Sequence, residues 1–115
     1  MDLLKKKAYD FALRIVRLSE YLQSEKKEFI LSKKVLDSGT NIGLLIEEGK
    51  QGDSRPEFIQ KYSVANKEAF RTNFLLRLLR DSKKITQRHA GSILEDCEEL
   101  QKMLITSLKT ARKSE

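Results

Sequence analysis

The sequence predicts an all-α fold, an up-down-up-down antiparallel four-helix bundle in a single domain of residues 1–115. The 115 residues include one Pro and five Gly, which is too little turn punctuation for a β-sandwich or barrel. Apolar residues recur at three- and four-residue steps in four separate segments. The connections between these segments are short and polar, so consecutive helices should alternate in direction.

The first two helices are predicted over about residues 4–23 and 28–49. The face of the first helix that should be buried carries Ala8, Phe11, Ala12, Ile15, Ser19 and Leu22. The corresponding face of the second helix carries Phe29, Val35, Leu36, Gly39, Ile42, Gly43 and Ile46. Gly49 follows this pattern and is a natural C-cap for the second helix.

The third and fourth helices are predicted over about residues 55–80 and 87–111. Ser54 and Glu57 have capping-box spacing, and Pro56 stands in the first turn, where no amide hydrogen is needed. Thr86 is the predicted N-cap of the fourth helix. The buried face of the third helix should carry Phe58, Tyr62, Ala65, Ala69, Thr72, Leu76 and Leu79. The buried face of the fourth should carry Ala90, Ile93, Cys97, Leu100, Leu104 and Leu108.

Two glycines, Gly39 and Gly43, lie in the middle of the apolar face of the second helix. An interior glycine costs roughly 0.5–1 kcal/mol relative to alanine, so these two need a packing reason. We expect close approach of another helix or of an aromatic ring, and Phe11, Phe58 and Tyr62 are the rings considered. Gly43→Ala should then destabilise the protein. A phosphate-cradling glycine loop would need a preceding strand, which the pattern does not contain.

The third helix carries a second apolar strip outside its core face, made of Ile59, Phe70, Phe74 and Leu78. On the second helix Ile30, Leu44 and Leu45 also lie off the core face. Exposed apolar patches on a small domain mark partner surfaces. We therefore expect a homo-oligomer whose interface includes Phe70, Phe74, Leu78, Leu44 and Leu45.

Positive charge is concentrated in one part of the chain. The formal net charge is +6, and residues 55–92 contain nine Lys or Arg and three acidic residues. Lys67, Arg71 and Arg77 could contact the phosphates of RNA or DNA, with Lys5, Lys6 and Lys7 adding to the positive field. The alternative is an ordinary solvated helix surface, because no base-reading motif accompanies the charge.

The sequence offers little for catalysis, and we expect a non-enzymatic protein without metal or cofactor. His89 is the only histidine and has no nucleophile beside it in sequence. Cys97, the single cysteine, falls on a core face, where a structural thiol is the default. Glu47 and Glu48 diverge by about 100° on a helix and do not converge on a substrate. Glu48 is expected to meet Lys67 or a neighbouring subunit.

The compartment is predicted from the absence of targeting features. The first eleven residues, MDLLKKKAYDF, carry charges where a signal peptide would be apolar. No apolar run reaches the ~18 residues that suggest a membrane span. We expect a cytoplasmic protein that does not enter the membrane.

Two runs resemble a known family. LSKKVLDSGTNIGLLIEEG, followed by EFIQKYSVANKEAF and a helix ending in LLRLL, is similar to the four-helix-bundle proteins encoded in intervening sequences of bacterial 23S ribosomal RNA. The residues that match the family's signature are Ser38, Gly39, Thr40, Ile42, Gly43, Ile46, Glu48, Phe58, Ser63, Ala65, Lys67, Glu68 and Ala69. Leu45 replaces a frequent Asn, and Arg71 and Asn73 replace frequent acids, which makes the third helix more basic.

The resemblance implies a left-handed bundle that assembles as a homopentamer. Related accessory proteins of diversity-generating retroelements bind nucleic acid and a reverse transcriptase, so the resemblance implies RNA, DNA or such an enzyme as partners. Two function classes follow: a nucleic-acid-binding accessory oligomer, and a structural or adaptor oligomer that binds another protein. Salt dependence separates them, because phosphate binding weakens steeply with salt and an apolar protein interface does not.

Overall fold

The computed structural model describes residues 2–52 and 54–113, and within them the chain forms four α-helices and no strand. The helices are α1 (Leu3–Glu25), α2 (Leu31–Lys50), α3 (Arg55–Asp81) and α4 (Gln87–Lys113). They build an elongated body of 47 × 23 × 20 Å. The predicted all-α fold of four helices is therefore confirmed.

Three helices begin at side chains that accept a hydrogen bond from the first turn. The Asp2 carboxylate accepts from the Lys5 backbone N–H at 3.1 Å. Ser54 Oγ accepts from the Glu57 N–H at 3.2 Å. Thr86 Oγ1 accepts from the N–H of His89 at 3.0 Å. Each contact satisfies an amide that has no partner within its own helix.

The second helix begins later than the sequence pattern predicts, at Leu31 instead of residue 28. The Glu28 carboxylate accepts from the backbone N–H groups of Leu31 at 3.0 Å and Ser32 at 2.7 Å, so it occupies the place where the helix starts. Burial alone would raise the pKa of Glu28, but these backbone donors outweigh it and hold that pKa below its usual value. Phe29, expected on the buried face, precedes the helix and is exposed.

The core is one continuous apolar cluster to which all four helices contribute. Each helix contacts the next in sequence, and α4 also contacts α1. In the described part of the chain, α1 has no close backbone contact with α3, and α2 has none with α4. The helices therefore stand at the corners of a square, with α1 and α3 at opposite corners. The largest fully buried side chains are Tyr62, Phe11, Ile15, Leu18, Leu22, Ile42, Ile46, Leu76, Leu79, Ile93, Leu100 and Leu104.

The contacts between α1 and α2 join opposite ends of the two helices. Near the end of α1, Ser19 Oγ donates to the backbone carbonyl of Ser32 at the start of α2, at 3.1 Å. At the other end, Asp2 precedes α1 and pairs with Lys50 at the last residue of α2, at 2.9 Å. The Lys50 partner and the Lys5 N–H lower the pKa of Asp2. Both ends of this helix pair are thus fixed by polar contacts.

Charged side chains link α1 to α4. Lys7 Nζ lies 3.0 Å from Glu99, and the guanidinium of Arg14 lies 2.6 Å from Asp96. All four side chains remain substantially exposed, between 33% and 50%. Backbone contact between these two helices is the least extensive of the four adjacent pairs. The α1–α4 side of the bundle therefore depends more on ion pairs than the other three sides do.

The two glycines of the α2 core face differ in how closely α1 approaches them. A β-carbon on Gly39 would lie 2.8 Å from Ile15 Cγ1, closer than real atoms pack. A β-carbon on Gly43 would lie 3.6 Å from the Ala8 carbonyl oxygen, an ordinary van der Waals distance. The expected approach of another helix is thus present at both glycines, but only at Gly39 is it too tight for a β-carbon. The neighbour in both cases is α1 rather than an aromatic ring.

The aromatic ring meets a third glycine, Gly49. A β-carbon there would lie 2.9 Å from two atoms of the Tyr62 ring. Tyr62 in turn packs against Phe58 with ring centroids 4.1 Å apart. Gly49 has no positive φ and α2 continues through Lys50, so its expected role as a C-cap is wrong. The missing side chain at Gly49 instead leaves room for the Tyr62 ring of α3 in the core.

Candidate functional site

The outward face of α3 brings together two sets of residues that the sequence analysis assigned to different roles. The apolar set, Phe70, Phe74 and Leu78, is exposed, with Phe70 at 53% and Phe74 at 52%. The basic set is exposed on the same side of the helix and consists of Lys67, Arg71 and Arg77. Residues three and four apart share a helix face, which places the two sets side by side. We call Phe70, Phe74 and Leu78 the α3 strip.

Each of the three cations flanking the α3 strip has a different environment. The Arg71 guanidinium lies 3.4 Å from a carboxylate oxygen of Glu68. Arg77 Nε donates to the side-chain oxygen of Asn73 at 2.9 Å, and its guanidinium carbon lies 5.6 Å from the centre of the Phe74 ring. Lys67 has no ion-pair partner among residues 2–52 and 54–113. The strip is therefore bordered by positive charge that its own chain neutralises only in part.

Glu68 is a positioning residue that the sequence analysis did not single out as part of this face. Its side chain is only 12% exposed, and it accepts a hydrogen bond from the Asn41 side-chain amide of α2 at 2.7 Å. The same carboxylate holds Arg71. Glu68 thus couples the orientation of Arg71 to the packing of α2 on α3. In the sequence, the position of an acidic residue between Ala65 and Thr72 on the core face of α3 could have indicated this role.

A groove of about 450 Å³ runs beside the α3 strip, between α2 and α3. Its lining residues are Leu31, Lys34, Asp37, Arg71, Phe74, Leu75 and Leu78. The groove extends the apolar surface of Phe74 and Leu78 toward α2. Such a surface can take a side chain from a partner, with polar groups at its edge.

The expected interface residues on α2 are only partly on the surface. Leu44 is exposed, whereas Leu45 is buried in the core. Adjacent residues on a helix point about 100° apart, and that step turns Leu45 inward. The assignment of Leu45 to an oligomer interface is therefore wrong. Ile59, which the sequence pattern placed in the same apolar strip as Phe70, Phe74 and Leu78, is also half-buried against the core.

Two further expectations about charged residues are corrected by the contacts. Glu48 pairs with Lys61 at 3.2 Å instead of with Lys67, which lies farther along α3. The three N-terminal lysines were expected to strengthen the positive field, yet each lies beside an acid. The pairs are Lys5 with Glu47 at 3.7 Å, Lys6 with Asp10 at 2.7 Å and Lys7 with Glu99 at 3.0 Å. Nearby acids therefore partly neutralise the N-terminal lysines, whereas Lys67 and Arg77 of α3 have no acid within ion-pair distance in the described residues.

Cys97 and His89 lie apart from the α3 face. Cys97 is buried, its thiol lies 3.4 Å from the Ala69 carbonyl, and burial raises the pKa of that thiol to about 12. The thiol is protonated at neutral pH, as a structural cysteine should be. The His89 ring meets Tyr21 edge-on at 6.4 Å between centroids. Burial, with a contribution from Arg14, lowers the pKa of His89. Among the described residues no three His, Cys, Asp or Glu side chains are grouped to hold a metal ion.

No helix in the described ranges has the length and apolar character needed to cross a membrane. This finding agrees with the charged, amphipathic pattern of all four helices.

Comparison with known proteins places the chain in a family. The family model of the 23S rRNA-intervening sequence protein matches residues 3–106. A crystal structure of a protein with unknown function from the S23 ribosomal protein family of Bacteroides thetaiotaomicron is 44% identical, with a TM-score of 0.92. That match covers 93% of this chain and 99% of the other. Among curated proteins none matches the sequence. The predicted resemblance is confirmed, and the chain belongs to the 23S rRNA-intervening sequence protein family.

Proposed function

We propose that the protein is a non-enzymatic homo-oligomer that binds nucleic acid as an accessory protein in the cytoplasm. Its protomer is an up-down-up-down antiparallel bundle with a left-handed twist, and the opposed ends of α1 and α2 that meet through Ser19, Ser32, Asp2 and Lys50 support that direction of the chain. The observation that carries the proposal is the outward face of α3, where an apolar strip is bordered by three cations.

Self-association accounts for the apolar part of this face. Two phenylalanines, each more than half exposed, and Leu78 lie within about two turns of one rigid helix. Contiguous exposed apolar surface of this kind on a small domain usually marks an interface with another protein. A second copy of the chain is always present to cover it. A ring of five copies is the order that the family resemblance favours.

Nucleic acid accounts for the basic part of the face. Lys67, Arg71 and Arg77 border the α3 strip and remain at the surface, so an oligomer repeats their charge once in every subunit. Such repeated charge suits the phosphates of RNA or DNA. Side chains that read base edges are not part of this arrangement, so binding should be independent of sequence.

The test is binding of unrelated single- and double-stranded RNA and DNA over a range of salt concentrations. The double variant Lys67→Ala/Arg71→Ala should weaken binding to all of them about equally. It should flatten the slope of log affinity against log salt by roughly 0.7–0.9 for each phosphate that the variant no longer neutralises. Lys109→Ala/Lys113→Ala removes the same charge at the same spacing from α4 and should leave the slope unchanged. No retention of any nucleic acid at low salt would overturn the proposal.

An adaptor that binds another protein, such as a reverse transcriptase, is the second proposal. The observation that favours it is a mainly apolar groove of about 580 Å³ between the start of α3 and the end of α4. The groove is lined by Arg55, Phe58, Thr106, Ser107, Thr110 and Ala111. A groove between helices with one cation at its edge can accept an apolar helix or loop of a partner. Binding of the partner that persists at high salt would support this function in place of the first.

A further inference from the structure

Helix α1 carries its own exposed apolar strip on its outward side. Tyr9 is 59% exposed, Leu13 38% and Val16 36%. Their spacing of four and three residues puts them on one face. The sequence pattern gave no role to Tyr9 or Leu13. We call Tyr9, Leu13 and Val16 the α1 strip.

The α1 strip and the α3 strip cannot cover each other within one chain. Helices α1 and α3 stand at opposite corners of the bundle and have no close backbone contact in residues 2–52 and 54–113. Both strips therefore face away from the common core, in different directions. Each copy of the protein carries two separate apolar surfaces.

The charges beside the two strips decide which strips can pair between copies. The α3 strip is bordered by Lys67, Arg71 and Arg77, so pairing it with another α3 strip would bring the cations of both copies together. Like charges juxtaposed in this way disfavour an interface. The α1 strip has balanced surroundings: Lys5 pairs with Glu47 and Lys6 with Asp10, which leaves one cation, Arg17, and one acid, Glu20, beside the strip. Glu20 is exposed, and within the described residues it has no ion-pair partner, so it can face a cation of α3.

The dimensions of the two strips also match. The α1 strip extends from Tyr9 to Val16 and the α3 strip from Phe70 to Leu78. At a rise of 1.5 Å per residue these lengths are about 10 Å and about 12 Å. Each strip therefore offers about two helical turns of apolar side chains for a helix–helix contact.

We propose that the α3 strip of one copy packs against the α1 strip of a second copy. The inference rests on the self-association proposed above and names its two surfaces. Since the surfaces differ, the interface is heterologous, and every copy added presents a free strip at each end of the assembly. The contact therefore repeats until the assembly closes. Glu20 offsets only part of the charge on α3, so the remaining cations stay available to phosphates.

The test is a complementation experiment with two variants whose damaged strips differ. Leu13→Glu removes the α1 strip and Phe74→Glu removes the α3 strip, because a carboxylate cannot be buried there without a partner. Each variant alone should be a monomer by light scattering. Mixed in equal amounts at high concentration, they should form a one-to-one complex of twice the monomer mass, joined through the two intact strips, that grows no further.

Controls separate this interface from loss of folding and from failure of the proposed function. Circular dichroism should show unchanged helix content in both variants, and Ile105→Glu, at an exposed apolar position of α4, should keep the wild-type mass. A monomeric wild type would overturn self-association itself. An oligomeric Leu13→Glu protein, or a mixture that stays monomeric while the wild type assembles, would overturn the α1–α3 pairing alone.

Discussion

Gly39 and Ile15 approach so closely that a β-carbon on the glycine would lie 2.8 Å from Ile15 Cγ1. Ile15 is fully buried and branched at its own β-carbon, so it cannot move aside easily. Gly39→Ala should overpack this contact, which typically costs about 1–3 kcal/mol, more than the gain in helix propensity. The midpoint of urea denaturation should fall.

Gly43→Ala is the matched comparison, on the same face one turn later. Its new methyl group would make an ordinary contact with Ala8, so the gain in helix propensity of about 0.5–1 kcal/mol should dominate. The structure thereby reverses the expectation drawn from sequence. Equal effects of the two substitutions would show that helix propensity, and not the distance to α1, determines how a substitution on this face changes stability.

Lys83, the second residue after the end of α3, has a left-handed backbone, φ 63°. Its N–H donates to the Arg80 carbonyl and the N–H of Lys84 to that of Leu79, the two bonds of a Schellman motif. Lys83→Gly should raise the free energy of unfolding by up to about 1 kcal/mol, since glycine adopts this conformation without a Cβ clash. Lys84→Gly removes the same charge at a position without positive φ and should not stabilise. The two denaturation midpoints provide the measurement.

Glu68 and Asn41 form a short, poorly exposed hydrogen bond between α3 and α2, at 2.7 Å. Glu68→Ala should cost about 1–3 kcal/mol, because it leaves the Asn41 amide without its partner and frees Arg71. In a double-mutant cycle with Asn41→Ala, the two substitutions should cost less together than their sum. Strict additivity would show that the bond does not contribute to the stability of the α2–α3 contact.

Because of the Cys97 thiol, the stability of the folded protein should decrease as the pH rises into the alkaline range. Burial, aided by the acidic neighbours Glu98 and Asp96, raises the thiol pKa from 9.0 to about 12 in the folded protein. The folded state therefore retains a proton that the unfolded chain loses above pH 9. This contribution is complete below pH 9 and declines toward pH 12, by up to about 1.4 kcal/mol per pH unit.

The measurement is the urea midpoint as a function of pH, with Cys97→Ala as the comparison. The variant should have a shallower decline above pH 9, because it has no thiol to ionise. Part of the decline should remain, since burial also raises the pKa of Tyr62 to about 12. Identical pH profiles for the two proteins would show that the thiol does not titrate differently on folding.

The sequence predicted the ends of the helices well where capping residues mark them, and less well where a contact with another residue determines where the helix begins. The Ser54 cap with Pro56 placed the start of α3 at the observed residue. The start of α2 was placed too early because Phe29 continues the apolar period, whereas the Glu28 carboxylate binds the amides that begin the helix. Local apolar spacing alone does not distinguish a helix residue from one in the preceding connection.

The candidate site shows the same limit more strongly. Residues 42–46 are almost entirely apolar, so the sequence does not show that Leu45 is buried while Leu44 is exposed. The difference between Gly39 and Gly43 is set by Ile15 and Ala8, which lie on another helix. The α1 strip likewise depends on where the neighbouring helices lie. An apolar residue at helical spacing looks like core until the positions of the neighbouring helices are known.

The four helix–helix contacts of the bundle differ in how strongly salt affects them, because the ion pairs Lys7–Glu99 and Arg14–Asp96 lie between α1 and α4. The contact between α1 and α4 is the least extensive of the four and is partly held by charges that mobile ions screen, whereas the ion pairs on the α1–α2 and α2–α3 sides supplement closer packing. Transient opening should therefore start along the wall between the first and last helices, while the two middle helices stay joined. Amide hydrogens lining that wall should exchange soonest, and increasingly so as ionic strength rises.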